Sequence, residues 1–326
     1  MKHSFSGTCA KGWWAFRRPF SFWWNFITLD RFIRSFLFQY PEPAGYSQPR
    51  LAPSPIHFIF RKSTLPVVTL SLPIYNAERF LAEAVESIKA QTLTDFEVIA
   101  VLDGCTDRSE EILRDLVDER FIVEKKERNE GVVAASNFGL FHARGEFFGR
   151  TDADDVLDPH KLQKQVAFLN DHPDVDIVGA WFDYIDERGK RIRKAYPFAT
   201  THEDLLCSFR RMNSIGGPVA LGRSERLRII GGYSDQLPYA EDLTLWLKCL
   251  AGGYRFANLP EVLYHYRLTR EQLSDRRNAE TNRMTNLAYK QYGPLIWGDD
   301  APDVEFGASI PKRALRKIKR LLGLIK

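Results

Sequence analysis

An α/β protein with an open, mostly parallel sheet flanked by helices is what this sequence predicts, and three observations predict it. From Pro66 onward, short β-branched apolar runs alternate with stretches of helical spacing. Strands separated by helices imply right-handed crossovers, and so parallel neighbours. Polar and acidic residues gather just after the apolar runs, at the edge where open sheets bind their ligands.

The elements follow in order. Val67–Leu72 reads as a buried strand, and Ala77–Gln91 as a helix with Phe80, Leu81, Ala84, Val85 and Ile88 on one face. Phe96–Leu102 is a second buried strand and Asp107–Glu119 a second helix. Phe121–Glu124, Val132–Ala143 and Phe147–Thr151 continue as strand, helix and strand. Asp158 and Pro159 are cap and first-turn residues for a helix to Asn170. Val175–Tyr184 is a further strand, closed by a turn at Glu187–Lys190. Residues 202–310 are less regular, and a helix from Glu241 to Leu250 is their clearest element.

Composition narrows the function. With 326 residues, 44% hydrophobic, the chain can bury a substantial core, and disorder throughout is excluded. Cys9, Cys105, Cys207 and Cys249 form no CxxC pair, which argues against a zinc knuckle or disulfide scaffold. The net charge of +4 hides an asymmetry: residues 1–65 carry +7, residues 311–326 carry +7, and the body between them −10. That is not the footprint of a nucleic-acid-binding domain; it suits an acidic body held to an anionic surface by its ends.

Both ends have the expected texture. Residues 13–40 hold twelve aromatics, among them Trp13, Trp14, Trp23 and Trp24, interleaved with Arg17, Arg18, Arg31 and Arg34. Trp beside Arg suits a segment lying in a lipid headgroup region, although an extension packed on the body gives the same pattern. Residues 41–55 contain five prolines and read as a linker. Pro311–Lys326 places Leu315, Ile318, Leu322 and Ile325 on one helical face opposite Lys and Arg, a basic amphipathic helix suited to a membrane surface or to docking on the body. No apolar run reaches the roughly 18 residues of a spanning helix. The expected location is therefore cytoplasmic, peripheral to the inner face of a membrane.

The strand ends carry the chemistry. They read Pro73-Ile74-Tyr75-Asn76, Asp103-Gly104-Cys105-Thr106-Asp107, Asn129-Glu130-Gly131 with Asn137 and Gly139, and Asp152-Ala153-Asp154-Asp155. Alternation turns Asp152 and Asp154 to one face, where two like charges repel unless a cation lies between them. A hard divalent ion held by one or two carboxylates completes its shell with substrate phosphates. This acidic cluster therefore predicts a metal–diphosphate site, with Asp155 and Asp158 left as capping groups. The sequence has no GxxxxGK[ST] loop, no GxGxxG turn after the first strand, no HExxH and no GxSxG. P-loop hydrolysis, dinucleotide oxidoreduction, common zinc proteolysis and serine hydrolysis thus lack their devices.

These motifs, together with Glu241-Asp242-Leu243-x-Leu245-Trp246, occur in the order and with the spacing of the family 2 glycosyltransferases, which this chain resembles over residues 66–270. The resemblance implies a GT-A fold, a Rossmann-like sheet with a nucleotide-sugar half (66–160) and an acceptor half (161–270). Residues 1–65 are then an extension and 271–326 C-terminal helices with the basic tail. It implies inverting transfer from a nucleotide-diphosphate sugar, a UDP-sugar first among them, with Mn2+ or Mg2+, to a glycan or lipid-linked acceptor in cell-surface polysaccharide biosynthesis. By position, Pro73, Tyr75, Asn76, Asp103, Asn129, Gly131, Asn137 and Arg267 would bind the nucleotide sugar. Asp103 would accept from the base, Asp152 would face the ribose and sugar, and Asp154, with Asp152, would hold the metal. Asp242 would be the general base and Glu241 its alternative.

The residues support a separate base. A hydroxyl is a poor nucleophile until a carboxylate takes its proton, and inversion needs that carboxylate on the face away from the leaving diphosphate. Leu102 and Cys105 stand where many members have Asp and Ser, and Gly217-Pro218 and Thr269 stand where members often have His. His265 lies close to the second of those places, and Arg267 and Arg270 are candidate diphosphate contacts. Two other classes compete: a sugar-nucleotide nucleotidyltransferase, which wants a Gly-rich basic loop after the first strand, and a non-catalytic membrane scaffold.

Overall fold

The computed structural model describes residues 65–193, 197–269 and 278–302. The chain divides into Met1–His57, which lies outside the described residues, and Phe58–Lys326. The expectations for both terminal extensions, and for Arg270, fall outside them as well.

Strands β1 (Val68–Ile74) and β2 (Phe96–Asp103) form the centre, and β2 is buried along its whole length. Such continuous burial is what parallel strands covered on both faces require. Along β2, Val98, Ala100 and Leu102 enter one core while Ile99 and Val101 enter another, so the alternation fills both faces. Strands β3 (Phe121–Lys126) and β4 (Phe147–Arg150) add parallel neighbours outside β2 and β1. Crossover helices α1 (Leu81–Lys89), α2 (Ser109–Leu116) and α3 (Val132–His142) join these four strands. Helix α3 lies close on β1, because a Cβ at Gly139 would meet Ser71 Oγ at 2.3 Å.

The sheet then becomes mixed. Its order is β3-β2-β1-β4, then β8 (Leu221–Arg223), β6 (Ile177–Ile185), β9 (Phe256–Arg267) and β5 (Val156–Leu157), with β7 (Arg191–Arg193) beside β6. The short β8 runs antiparallel to both β4 and β6 and joins the two parallel groups. Beyond it, β6 and β9 pair in parallel, and β5 closes the edge antiparallel to β9.

Element starts differ from the sequence reading where turns intervene. Helix α1 begins at Leu81 rather than Ala77, because Asn76 has φ 48° and residues 77–80 form a turn. Asp158 does not cap α4 (Lys161–Asp171); its Oδ1 accepts from His160 N at 2.9 Å, and the helix starts three residues later. In the stretch read as irregular lie β8, the long β9, α5 (His202–Phe209), α6 (Ser224–Ile229) and α8 (Asn278–Trp297). Their apolar residues face different neighbours along their length, so neither sequence period stands out.

Helix α7 (Glu241–Ala251) is the element that matters most for the site. Leu243, Leu245, Trp246, Leu247, Cys249 and Leu250 are buried in a further core with Phe209, Ile215 and Phe256, and Trp246 Nε1 donates to Ile215 O at 3.1 Å. Helix α8 packs against α7 through Met284, Ala288 and Tyr289. The anchored body of α7 brings its first turn to the end of β4.

Candidate active site

A cavity of about 460 Å3 opens at the carboxyl ends of β1, β2 and β4. Pro73, Tyr75, Asn76, Asp103, Asn129, Gly131, Asp152 and Asp154, eight of the residues expected to bind donor or metal, line it. The strand order brings them together from positions up to 81 residues apart.

Asp103 organises the floor. Its Oδ1 accepts from Glu130 N at 2.9 Å and its Oδ2 from Gly131 N at 2.8 Å. The preceding turn passes the same loop so tightly that a Cβ at Gly104, where φ is 67°, would lie 2.4 Å from Asn129 N. The Asp-Gly pair therefore welds the end of β2 to the Asn129–Gly131 loop. Each carboxylate oxygen keeps a second lone pair for a ligand. Asn76 makes a parallel link, its Oδ1 accepting from Thr106 N at 2.8 Å. Tyr75 stands 52% exposed at the cavity wall.

The three acids of the Asp152–Asp155 turn divide. Asp152 and Asp154 line the cavity, whereas Asp155 is buried and its Oδ1 accepts from Arg267 N at 2.7 Å. Burial, with Asp154 and Asp152 close by, pushes the Asp155 carboxyl well above the usual carboxylate range. Among the described residues no group of three or more His, Cys, Asp or Glu converges on one point. The acidic turn thus presents two hard carboxylates to the cavity. That fits an Mg2+- or Mn2+-type ion that draws further oxygens from water and phosphate, not a closed structural cage.

Arg267 requires a correction. Expected to bind the nucleotide sugar, it is fully buried and absent from the cavity wall. Its Nε donates to Asp154 O at 2.6 Å, its Nη1 to Asp186 O at 3.0 Å and its Nη2 to Glu83 Oε2 at 2.6 Å. The guanidinium also lies over the Phe80 ring, 4.6 Å from its centroid. Arg267 holds the acidic turn from beneath. Asn137 is likewise away from the cavity: its amide donates to Tyr233 O and accepts from Tyr233 N, both at 2.9 Å. It clips α3 to the loop before α7. His265 pairs through Nδ1 with Asp183 Oδ1 at 2.5 Å.

The expected base stands on a different wall. Glu241 and Asp242 open α7, and the Asp242 side chain is 20% exposed. Its carboxylate presses on the backbone of Gly217, where a Cβ would lie 1.8 Å from Oδ2 and 2.4 Å from Oδ1. Burial, reinforced by Glu241 and Asp152 and opposed by Arg150, raises Asp242 to about 6. Its Oδ1 is buried with no hydrogen-bond partner. A partly exposed carboxylate with a pKa near neutrality is suited to accept a proton.

Arg150, the last residue of β4, joins the two walls. Nη2 donates to Asp242 Oδ2 at 3.1 Å, and Nε lies 3.3 Å from Asp152 Oδ1. Burial disfavours its charge, but Asp152 and Asp242 hold it well above an ordinary guanidinium. No motif singles out Arg150. The signal in the sequence is a cation closing an apolar strand immediately before the acidic turn, since a buried arginine must find carboxylates.

Known proteins share this architecture. The model of the family described as Glycosyl transferase family 2 matches residues 69–225. An uncharacterized glycosyltransferase of Methanocaldococcus jannaschii is 32% identical over 207 residues, 62% of this chain and 71% of that protein. The amylovoran biosynthesis glycosyltransferase AmsE of Erwinia amylovora is 30% identical over 212 residues, 63% of this chain and 78% of AmsE. The crystal structure of S. aureus TarS 1–349 in complex with UDP-GlcNAc superposes with a TM-score of 0.57 at 18% identity, over 79% of this chain and 81% of that one. Mannosyltransferase PcManGT from Pyrobaculum calidifontis, in complex with GDP-Man and Mn2+, gives 0.53 at 19% identity over 92% and 91%. Sequence relatives and fold agree: this chain belongs to glycosyl transferase family 2 and is a glycosyltransferase of the GT-A fold.

Proposed function

We propose that the protein is a metal-dependent, inverting glycosyltransferase that moves a sugar from a nucleotide-diphosphate donor to a hydroxyl of a glycan or lipid-linked acceptor. The observation that carries this reading is the pair of walls joined by Arg150: Asp152 on the donor cavity and Asp242 on α7. The ligands named for TarS and PcManGT, UDP-GlcNAc and GDP-Man with Mn2+, support a nucleotide-sugar donor. The name of AmsE supports a place in polysaccharide biosynthesis.

In this reading the nucleoside lies between Pro73, Tyr75 and the Asn129–Gly131 loop, and Asp103 accepts a base N–H on its spare lone pairs. Asp154 and Asp152 would hold the cation, which would supply Lewis-acid stabilisation of the charge growing on the leaving diphosphate. Asp242 takes the proton of the acceptor hydroxyl as its oxygen attacks the anomeric carbon and the bond from that carbon to the diphosphate oxygen breaks. The attack comes from the face opposite the leaving group, so the configuration inverts. Arg150 keeps Asp242 ionised and orients it. Peripheral attachment to a membrane through the basic ends is part of the same proposal and rests on their charge.

Calorimetry of UDP-GlcNAc and GDP-mannose with and without Mn2+ tests the donor site. Asp154→Asn is expected to abolish the Mn2+-dependent part of binding, and Asp242→Asn to preserve it while turnover drops about 10²–10⁴-fold. Undiminished Mn2+-dependent binding in Asp154→Asn would remove the metal role, and near-normal turnover in Asp242→Asn would remove the base.

A further inference from the structure

Arg150 is buried, yet its own hydrogen bonds do not fix it. Of its guanidinium nitrogens only Nη2 is hydrogen-bonded among the described residues, to Asp242 Oδ2. Nε lies 3.3 Å from Asp152 Oδ1 as an ion pair, and neither Nε nor Nη1 makes a hydrogen bond. A planar group held by one bond can swing about it, so packing decides whether it reaches both carboxylates.

That packing comes from Tyr233. The guanidinium carbon lies over its ring, 5.8 Å from the centroid, within the reach of a cation–π contact. The ring is 6% exposed and shares a core with Leu140 of α3 and with Leu237 and Ala240. Tyr233 in turn is held by its backbone. Asn137 on α3 accepts from Tyr233 N and donates to Tyr233 O, both at 2.9 Å. An amide that engages both backbone groups of one residue fixes that residue much as a strand neighbour does. The approach is tight: at Gly232, where φ is 63°, a Cβ would lie 2.5 Å from Asn137 Oδ1. Glycine admits both the left-handed backbone and the amide beside it.

We propose that Tyr233 is a positioning residue for Arg150 and that Asn137 sets Tyr233, so that the ring backs the guanidinium and holds it on Asp152 and Asp242 at once. Asn137 then serves the reaction at second hand, from a helix whose first residue, Val132, borders the cavity at the strand ends. The seat itself does not depend on how Asp242 acts; its effect on rate rests on the reading of Asp242 as the base. A guanidinium that slips from its seat lets the Asp242 carboxylate turn away from the acceptor hydroxyl.

The test is NMR of the full chain carrying isotope-labelled arginine, beside kinetics of UDP or GDP release from UDP-GlcNAc and GDP-mannose with Mn2+. The Arg150 Nε–H signal is assigned by its loss in Arg150→Lys. It is expected to move downfield in Tyr233→Leu, where the ring current is gone, and to stay in place in Tyr233→Phe. Asn137→Ala, which keeps the ring but frees it, should move the signal by less. Because misplacing a reacting group costs rate, kcat should fall about 10-fold in Tyr233→Leu, less in Asn137→Ala, and hardly at all in Tyr233→Phe. Donor affinity, read by calorimetry, should change less than kcat. In an Arg150→Lys background, Tyr233→Leu should cost less than about 2-fold more, because the ring then has no guanidinium to seat.

An Arg150 signal unmoved in Asn137→Ala and in Tyr233→Leu, equal losses in Tyr233→Phe and Tyr233→Leu, or losses that multiply in the double variant overturn the seat. If Tyr233→Leu does not fold, the signal in Asn137→Ala decides alone. Asp242→Asn separates the two readings. Near-normal release in that variant, with an Arg150 signal that still depends on Tyr233, removes the base and leaves the seat. Lost release with a signal independent of Tyr233 removes the seat and leaves the base.

Discussion

Arg150 donates to Asp242 across 92 positions of sequence, Nη2 to Oδ2 at 3.1 Å. The same guanidinium lies 3.3 Å from Asp152. One buried cation thus compensates a carboxylate on each of the two walls, and charge on one wall is felt on the other.

As the proposed base, Asp242 must be ionised to act, and it sits at about 6 with Arg150 in place. Activity is expected to fall on the acid side with a midpoint near that value, because protonation removes the base. Arg150→Met takes away the influence that holds the value down, so the acid limb should move to higher pH and turnover at neutrality should drop. Uncompensated buried carboxylates should also cost about 3–5 kcal/mol of stability. A pH–rate profile and a urea titration of the variant check both. Arg150→Lys should recover only part, since a point charge does not span two carboxylates as a planar fork does.

Gly217 is the contact that places the Asp242 carboxylate. A methyl group there would fall 1.8–2.4 Å from the carboxylate atoms, so Gly217→Ala forces them to move. A displacement near 1 Å at a reacting group can cost about 10²-fold in rate. The expected result is a loss of that order in kcat with donor affinity unchanged, read by steady-state kinetics beside calorimetry.

Lys161 is fully buried and its Nζ has no hydrogen-bond partner. Burial lowers its pKa from the ordinary 10.5 to about 7. The unfolded chain therefore binds more protons between these values, and stability rises with pH across that window. Lys161→Met should stabilise the fold at pH 7 by about 1–4 kcal/mol, the range seen when buried charge is replaced by apolar volume. The gain should shrink as pH approaches 10. Chemical denaturation of both proteins at pH 7 and pH 10 measures it.

The tail Pro311–Lys326 carries seven Lys/Arg and no acid. Each basic residue near an anionic surface contributes roughly 1 kcal/mol. Deleting residues 311–326 should release the protein from sedimenting vesicles that contain phosphatidylserine, and raising salt should do the same to the full chain. Unchanged co-sedimentation of the truncated protein would remove the tail as an anchor.

Much of the lining of the cavity at the ends of β1, β2 and β4 was legible in the sequence. Pro73, Tyr75, Asp103, Asn129, Gly131, Asp152 and Asp154 all follow apolar runs, and parallel strands deliver their carboxyl ends to one edge. The first strands and helices were legible because buried runs and helical spacing are local signals. Within residues 202–302, α7 was legible from Glu241 to Leu250 and β8, β9 and α8 were not: β8 has three residues, and the burial of β9 does not alternate as it passes β6 and β5.

Local pattern by itself determined the α/β class, the order of the early elements and the polar rim, since each depends on neighbours a few residues apart. Tertiary structure alone decided that Arg267 lies beneath the acidic turn, that Asn137 clips a distant loop, that Arg150 spans two carboxylates and that Gly217 makes room for Asp242. Those roles arise from partners 81–184 residues away for Arg267, 96 for Asn137, 92 between Arg150 and Asp242, and 25 between Gly217 and Asp242. A charged side chain is assigned by whichever opposite charge or backbone group the fold presents to it, and spacing in sequence carries no record of that distance in space.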